Sequence, residues 1–273
     1  MKIIVRTILI TISTIFALFF SLLLFYKTDS DRRKFIFNLS KKNTLVKILY
    51  LYYNIYIRNL KFFFNSSQFG EDKKIFKLFK KKGTYLDLGC FHPIRDNNTY
   101  LMYKSGWSGI NIDLNPLSIE LFNIARPGDI NICAAISDKI KFRNLYFDHE
   151  LSTLNTLEKS HTLFLGKLFG LKNLKKKRIK TQNLNFLLKK KKIKKIDFFN
   201  IDIEGHELKV LKSLNFNYFD IKVICVEIVN YDTYTKNIKN NRNEIFRLLK
   251  KKNYSLKFKS VFNYIFIKKK IKN

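Results

Sequence analysis

Short apolar segments alternate with stretches of helical pattern along the chain from residue 84 onward. The apolar segments are residues 84–89, 109–113, 130–136, 196–202 and 222–229. The helical stretches are residues 97–105, 115–125, 204–214 and 237–252. Apolar strands separated by helices form βαβ units, which build a mostly parallel sheet. Two adjacent strands, residues 254–259 and 261–267, predict a C-terminal antiparallel hairpin at one edge, so the expected fold class is α/β.

An uncharged stretch of 20 residues, residues 7–26, precedes this pattern. As a helix it would be about 30 Å long, which matches the hydrocarbon thickness of a bilayer. The stretch is longer than the apolar core of a signal peptide, and no small-x-small cleavage site follows it, so we expect an uncleaved transmembrane helix. Because more basic residues follow the helix than precede it, the rest of this single-pass membrane protein should face the cytoplasm.

Three parts of the chain are therefore expected. Residues 1–27 form the transmembrane helix with its short flank, residues 28–65 a basic and aromatic juxtamembrane segment, and residues 66–273 the globular domain. Within the second part, residues 43–64 predict a helix with one polar stripe, packed on the domain or lying on the membrane surface. Residues 172–195 carry 12 basic residues and no acid, which predicts a charged surface helix, with contact to anionic lipid as the alternative.

The net charge of +32, from 53 Lys and Arg against 21 Asp and Glu, raises the question of a polyanionic partner. Most of these cations are lysines, whereas base recognition and bidentate phosphate contacts favour arginine, so we expect no nucleic-acid partner. The three cysteines, Cys90, Cys133 and Cys225, are too few and too far apart for a disulfide framework or a cysteine-rich zinc site.

Acidic residues close several of the predicted strands, at the sheet edge where open α/β folds bind their ligands. The first strand ends in Asp87, Gly89 and Cys90, where a glycine permits close approach of a ligand and a carboxylate can accept hydrogen bonds. The second strand ends at Asp113, whose carboxylate can accept both hydroxyls of a ribose, and the third runs into Ser137 and Asp138. Turn chemistry alone explains any one of these residues, but three such ends in succession favour a ligand site.

The fourth strand leads into Asp202, Glu204 and His206. In one interpretation Asp202 is a helix N-cap, and Glu204 and Glu207 complement the helix dipole. In the other, a carboxylate tunes His206 for general-base catalysis. No metal-ligand spacing occurs among the four histidines, so no metal is predicted; a Mg²⁺ or Mn²⁺ ion held by Asp202, Glu204 and Glu227 is the alternative.

The segments TYLDLGCFHP through GINID, then LSTLNTLEK, IKTQNLNFLL, IDFFNIDIEGHELKVLKSL and VICVEI, resemble the motifs of FkbM-family methyltransferases in the same order. The resemblance covers about residues 66–230. It implies a Rossmann-like class I methyltransferase fold and S-adenosylmethionine as cofactor. It also implies transfer of a methyl group to a hydroxyl on a sugar, glycan or similar small molecule.

Carried over by position, the resemblance places Asp87, Gly89 and Cys90 on the cofactor loop and Asp113 on the ribose. Ser137 and Asp138 fall near the adenine, and Asp202, Glu204 and His206 fall on the catalytic signature. The loop after Asp87 departs from the wider superfamily because it lacks the second and third glycines of G-x-G-x-G. We hypothesise that His206, assisted by Asp202 or Glu204, is the general base.

Residues 148–160 are expected to form a lid or acceptor wall, with His149 and Ser152 as lesser candidates, and His92 is a further candidate for substrate contact. Two other functions compete with methyl transfer. A nicotinamide-dependent oxidoreductase shares the fold, but this chain lacks its G-x-G-x-x-G loop. A noncatalytic, membrane-tethered basic binding protein would instead use the lysine-rich surface.

Overall fold

The computed structural model of the protein describes residues 42–64, 66–147, 155–162, 174–228 and 241–269, with isolated positions 11, 13, 14, 38, 39 and 166. Within these residues, no helix is both long enough and apolar enough to span a bilayer. The transmembrane helix predicted at residues 7–26 lies almost entirely outside them. The chain divides into two compact units, residues 1–60 and residues 61–273.

The first unit contains the helix α1 (Thr44–Tyr52), which continues into a π-helical turn at Tyr53–Ile57. Its N-cap is Asn43, whose side chain accepts hydrogen bonds from the backbone N–H groups of Leu45 and Val46, at 3.0 and 3.1 Å. The helix predicted over residues 43–64 is thus interrupted. A short 3₁₀ helix follows at Leu60–Phe63.

The second unit contains a seven-stranded and a three-stranded sheet among the described residues. Its helices are α2 (Glu71–Phe76), α3 (Tyr100–Lys104), α4 (Pro116–Ala125), α5 (Leu184–Lys190), α6 (Glu207–Ser213) and α7 (Arg242–Lys251). Its first strands are β1 (Thr84–Leu88), β2 (Ser108–Asp113), β3 (Ile130–Cys133), β4 (Ala135–Ser137) and β5 (Phe142–Phe147). Its later strands are β6 (Lys175–Asn183), β7 (Lys195–Ile201), β8 (Asp220–Glu227), β9 (Tyr254–Ser260) and β10 (Asn263–Lys268).

The large sheet has the order β3-β2-β1-β7-β8-β10-β9. Strands β3, β2, β1, β7 and β8 are parallel, and the hairpin β9–β10 is antiparallel and closes one edge beside β8. The predicted α/β class, mostly parallel sheet and C-terminal hairpin are confirmed. This order brings the carboxyl ends of β1, β2, β7 and β8 to one edge of the sheet, where a ligand site is expected.

Side chains of the central strands alternate between the two faces of the sheet and pack into two separate hydrophobic clusters. On β7, Phe198 and Phe199 are both fully buried and belong to different hydrophobic clusters, because neighbouring side chains of a strand point to opposite faces. Burial of each phenylalanine contributes about 1.5–3 kcal/mol. The central strands are therefore covered on both faces, which explains why they appear in the sequence as continuous apolar runs.

Two predictions of local structure are corrected. The single strand expected at residues 130–136 is divided into β3, which belongs to the large sheet, and β4, which pairs with β6 in the small sheet. The surface helix expected at residues 172–195 is a helix only in its second half, α5. The lysine-rich first half is the strand β6, because pairing with both β4 and β5 outweighs the helical propensity of lysine.

Candidate active site

The loops that follow β1 and β7 lie against each other at the carboxyl edge of the sheet. Gly89 has a φ of +82°, and a side-chain Cβ at this position would overlap the carbonyl oxygen of Asp202. The N–H of Asp202 in turn donates to the carbonyl oxygen of Leu88 at 3.0 Å. Gly89 is therefore required by the contact between the two loops, in addition to any approach of a ligand.

Asp87 lies inside the domain and not on the surface of the site. It is 0% exposed, and its carboxylate accepts hydrogen bonds from Thr99 Oγ1 (2.8 Å), Asn97 Nδ2 (3.1 Å) and Asn200 Nδ2 (2.9 Å). Burial raises the pKa of Asp87, while the hydrogen bonds from Asn200 and Thr99 oppose that rise. The prediction that Asp87 contacts a cofactor directly is therefore corrected. Its side chain supports the loop after β1 from inside the domain.

The thiol of Cys90 is also directed away from the site. Cys90 is 3% exposed and packs against Ile119 and Phe122 of α4, and burial raises the pKa of its thiol well above the usual range. Only the backbone of this residue remains available to a ligand. The prediction that Cys90 contacts the cofactor is therefore corrected for its side chain.

Asp113, for which the sequence predicts binding of a ribose, is partly exposed at the end of β2. Its Oδ2 accepts the N–H of Phe91 and its Oδ1 accepts the N–H of Asn115, each at 2.8 Å. Each oxygen keeps a second lone pair for another donor. Burial raises the pKa of Asp113 to about 6, opposed by the backbone amides of Asn115 and Phe91.

Ser137, Asp138 and His206 belong to one hydrogen-bonded chain. Ser137 Oγ donates to Asp138 Oδ1 at 2.7 Å and lies 2.9 Å from His206 Nε2. On the other side of the ring, His206 Nδ1 lies 2.5 Å from Glu158 Oε1, which also accepts from Lys209. Ser137 and His206 are 0% and 1% exposed, so the chain is enclosed by the fold.

The hydrogen bonds to Ser137 and Glu158 change the role predicted for His206. Both ring nitrogens have side-chain partners and the side chain is 1% exposed, so an acceptor molecule cannot reach either nitrogen in this arrangement. His206 is also the N-cap residue of α6, and Asp202 lies outside the helix, so the interpretation of Asp202 as the N-cap is wrong. The geometry makes His206 a connection between β4 and the segment that contains Glu158.

Asp202, Glu204 and Glu227 converge after β7 and at the end of β8. Each offers a carboxylate oxygen, and the three oxygens lie within 4.8 Å of one another. Burial raises the pKa of all three carboxyl groups, and charge repulsion within the group raises the values of Asp202 and Glu227 further. Carboxyl groups of raised pKa are suited to accept a proton near neutral pH.

The loop between Asp202 and α6 has an uncommon backbone. Glu204 has a φ of +54° and Gly205 a φ of +91°. Glu207 stabilises the loop, because its Oε1 accepts the N–H groups of Ile203 and Gly205 at 2.9 and 3.1 Å. The helix predicted from residue 204 therefore begins only at Glu207, and the Glu204 side chain is left 21% exposed.

Residues 155–162 contribute site residues that the sequence did not single out. His161 Nε2 lies 2.9 Å from Glu204 Oε2, and Thr156 Oγ1 donates to the carbonyl oxygen of Glu204 at 2.7 Å. Glu158 reaches His206 from the same segment. Glu158 and Thr156 fall within the predicted acceptor wall at residues 148–160. No local pattern distinguished Glu158 and His161, because their partners are more than 40 positions away in the chain.

The remaining candidates from the sequence have other outcomes. His92 is 4% exposed, and its Nδ1 accepts the N–H groups of Ile94 and Arg95 at 3.1 and 3.0 Å, so it folds the loop after β1 instead of reaching a substrate. His149 and Ser152 lie outside the residues that the structure describes.

The oxygen donors at the carboxyl edge of the sheet fit two kinds of bound group. A divalent cation is compatible with the oxygens of Asp202, Glu204 and Glu227, because Mg²⁺ and Mn²⁺ prefer carboxylate ligands. S-adenosylmethionine, a cation with a ribose, is compatible with the partly exposed Asp113 and with the acidic segment after β7 that lies against Gly89. The arrangement can therefore bind a cationic nucleoside and accept a proton next to it.

Comparison with known proteins gives one finding. Residues 84–256 match the profile of the methyltransferase FkbM domain, from the first strand of the large sheet into β9. No match was found among curated proteins or among solved structures. Because the matched region covers more than half of the chain and contains the whole site described above, the chain belongs to the FkbM methyltransferase family.

Proposed function

We propose that the protein transfers the methyl group of S-adenosylmethionine to a hydroxyl group of a sugar, glycan or glycolipid. The observation that carries this proposal is the contact between Gly89 and Asp202. The contact is made by the backbone carbonyl oxygen of Asp202, so the segment after β7 that contains Asp202 and Glu204 lies against the loop after β1. O-methylation needs a methyl donor and a proton acceptor, and in the proposed arrangement these two adjacent loops supply them.

The residues of the cofactor side have distinct roles in this proposal. Asp113 accepts the ribose hydroxyls, and Ser137 and Asp138 lie at the edge where the adenine is expected. When bound, S-adenosylmethionine would supply a methyl carbon for in-line attack by a hydroxyl oxygen, with S-adenosylhomocysteine as the leaving group. The protein contributes orientation, a carboxylate environment that favours a cation, and a site for the released proton.

Glu204 is the proposed general base, in place of His206. Its side chain is 21% exposed, whereas that of His206 is 1% exposed with both nitrogens engaged. As the acceptor oxygen forms its bond to the methyl carbon, the carbon–sulfur bond breaks and the hydroxyl proton passes to the Glu204 carboxylate. His161 orients this carboxylate through its 2.9 Å contact. Asp202 and Glu227 lie beside it, and the three carboxylate oxygens are within 4.8 Å of one another.

The proposed location of the protein rests on the sequence alone. We propose that the uncharged residues 7–26 anchor the chain in a membrane as a single-pass helix, with the methyltransferase domain on the cytoplasmic side, where S-adenosylmethionine is made. The preferred acceptor would then be a glycan or glycolipid presented at that membrane. Protease accessibility of the domain in sealed vesicles tests this orientation.

The decisive experiment supplies purified full-length protein with isotopically methyl-labelled S-adenosylmethionine and an extract of membrane glycans and glycolipids. Mass spectrometry should find one labelled methyl ether on an extract component, and its formation should be lost with Glu204→Gln. Glu244→Gln is the matched control, because Glu244 pairs with Lys212 at the surface and lies outside the site. Calorimetric binding of NAD but not of S-adenosylmethionine would overturn the proposal in favour of an oxidoreductase.

A further inference from the structure

The loop after β1 runs from Gly89 to the start of α3 without the further glycines that such cofactor loops often contain. Two of its residues nevertheless have left-handed backbone conformations, Phe91 with a φ of +47° and Asp96 with a φ of +50°. Residues other than glycine adopt these angles infrequently, so surrounding contacts must hold them. A residue with no role assigned so far, Arg126, donates hydrogen bonds to the loop between these two positions and next to the second of them.

Arg126 follows α4 and is 0% exposed. Its guanidinium donates to the carbonyl oxygen of Pro93 through Nε at 3.1 Å and also through Nη2. It donates further to Asn97 Oδ1 and Thr99 Oγ1, each at 2.9 Å, and to the hydroxyl of Tyr85 at 3.2 Å. A single side chain therefore holds the loop at three of its positions.

The rings around Arg126 hold the guanidinium in place. Its Cζ lies 4.8 Å from the ring centroid of Phe122, 5.3 Å from that of Tyr103 and 5.6 Å from that of Tyr100. Buried cation–π contacts of this kind are favourable once the cation has lost its water. The guanidinium is planar and its donors are arranged in a fixed fork, so it fixes the direction of the groups that it binds.

Arg126 is also linked, through two loop residues, to the buried carboxylate of Asp87. Asn97 and Thr99 donate to the buried carboxylate of Asp87, and both accept from Arg126. The fold thus contains a cation and an anion joined through two loop side chains, which compensates for the cost of burying either charge. At the other end of the loop, the N–H of Phe91 donates to Asp113, the proposed ribose ligand.

We propose that Arg126 is the positioning residue for the cofactor loop, and that its hydrogen bonds to Pro93, Asn97 and Thr99 hold the loop in the conformation that binds S-adenosylmethionine. This inference rests on the proposed function. In this proposal Arg126 does not touch the ligand and acts through the loop. In a glycine-rich loop, additional glycines permit the left-handed backbone conformations; here side-chain contacts stabilise the loop instead.

The test measures the dissociation constant of S-adenosylhomocysteine by calorimetry, with the thermal midpoint of unfolding, for full-length protein in detergent. Arg126→Lys keeps the positive charge but loses the planar, branched arrangement of hydrogen-bond donors. We expect the dissociation constant of S-adenosylhomocysteine to rise at least tenfold in this variant. Thr99→Val, which removes the hydroxyl shared by Arg126 and Asp87, should raise it in the same direction. This second variant decides the question if Arg126→Lys does not fold.

The control is Leu249→Ala on α7, a fully buried core residue that belongs to a different hydrophobic cluster from Tyr85. It should lower the thermal midpoint but leave the dissociation constant within twofold of wild type. Amide exchange should accelerate at residues 91–99 in the two loop variants only. Unchanged binding in Thr99→Val and in folded Arg126→Lys would overturn the inference, whereas failure of the wild type to bind would overturn the proposed function instead.

Discussion

His206 Nε2 lies 2.9 Å from Ser137 Oγ, so a buried imidazole joins the end of β4 to the start of α6. Ser137 Oγ donates to Asp138, and on the other side of the ring Nδ1 lies 2.5 Å from Glu158 Oε1. Against the opposing effect of burial, hydrogen bonds lower the pKa of Asp138 and of Glu158, so both carry negative charge at neutral pH. The imidazole therefore links two ionised carboxylates, one through Ser137 and the other directly.

Replacing His206 should therefore affect binding and stability together. His206→Ala removes the imidazole that joins Ser137 to Glu158 and leaves each of them with one other partner, Asp138 and Lys209, so we expect the free energy of unfolding to fall by about 2 kcal/mol. Cofactor affinity should fall as well, because Ser137 and Asp138 lose their support. Denaturant titration and calorimetry measure the two effects. If His206 were instead the base, methyl transfer would be abolished while stability and cofactor affinity stayed at wild-type values.

Gly89→Ala should be severely destabilising. Its φ of +82° disfavours any side chain, and the added Cβ would overlap the Asp202 carbonyl oxygen, which is backbone and cannot rotate away. We expect a loss of about 3 kcal/mol or more in the free energy of unfolding. Gly128→Ala is the matched control, since a Cβ at that position has no atom within 4 Å. Equal stability of the two variants would contradict the close contact of the two loops.

Asp113 should make cofactor binding depend on pH. Burial raises its pKa to about 6, and the ionised carboxylate is the stronger acceptor for ribose hydroxyls. Affinity should therefore fall as the pH drops through about 6, and Asp113→Asn should bind about tenfold more weakly at neutral pH without this dependence. Calorimetry across this range checks both statements, and an identical pH profile in the variant would refute the role of Asp113.

The stability contributed by Asp113 should depend on pH in the direction opposite to that of cofactor affinity. Because its folded pKa of about 6 lies above the ordinary value of 3.8, the folded state binds the proton more tightly than the unfolded state. The contribution of Asp113 to the free energy of unfolding therefore decreases as the pH rises from about 4 to about 6. Comparison of wild type with Asp113→Asn by denaturant titration isolates this contribution.

Thr156→Val should separate the acceptor side of the site from the cofactor side. The substitution keeps the shape of the side chain but removes the hydroxyl that donates to the Glu204 carbonyl oxygen at 2.7 Å. We expect a loss of about 1 kcal/mol in stability and slower methyl transfer, with cofactor affinity unchanged. Thr162→Val is the control, because its hydroxyl donates within the same turn, to the carbonyl oxygen of Lys159 at 2.6 Å. A weakened cofactor affinity in Thr156→Val would show that the segment supports both sides.

The large sheet could be predicted from the chain because its strands are buried on both faces and leave continuous apolar runs, such as that of β7. The small sheet could not. Strand β6 consists largely of lysine and arginine, and only its partners β4 and β5 make it a strand. Local propensity describes a segment in isolation, whereas strand pairing joins residues about 40 positions apart, as in the contact of Ala135 with Thr181.

The same division applies to the site. By itself, the sequence determined the family, the sheet edge that carries the chemistry and the strand-end residues from Asp87 to His206, because short motifs at regular βα spacing are local features. Only the tertiary structure decided what each side chain does. It buried Asp87 under three donors, engaged both nitrogens of His206, and brought His161 to Glu204 and Arg126 to the loop after β1. These roles depend on distances between residues far apart in the chain, and folding alone sets those distances.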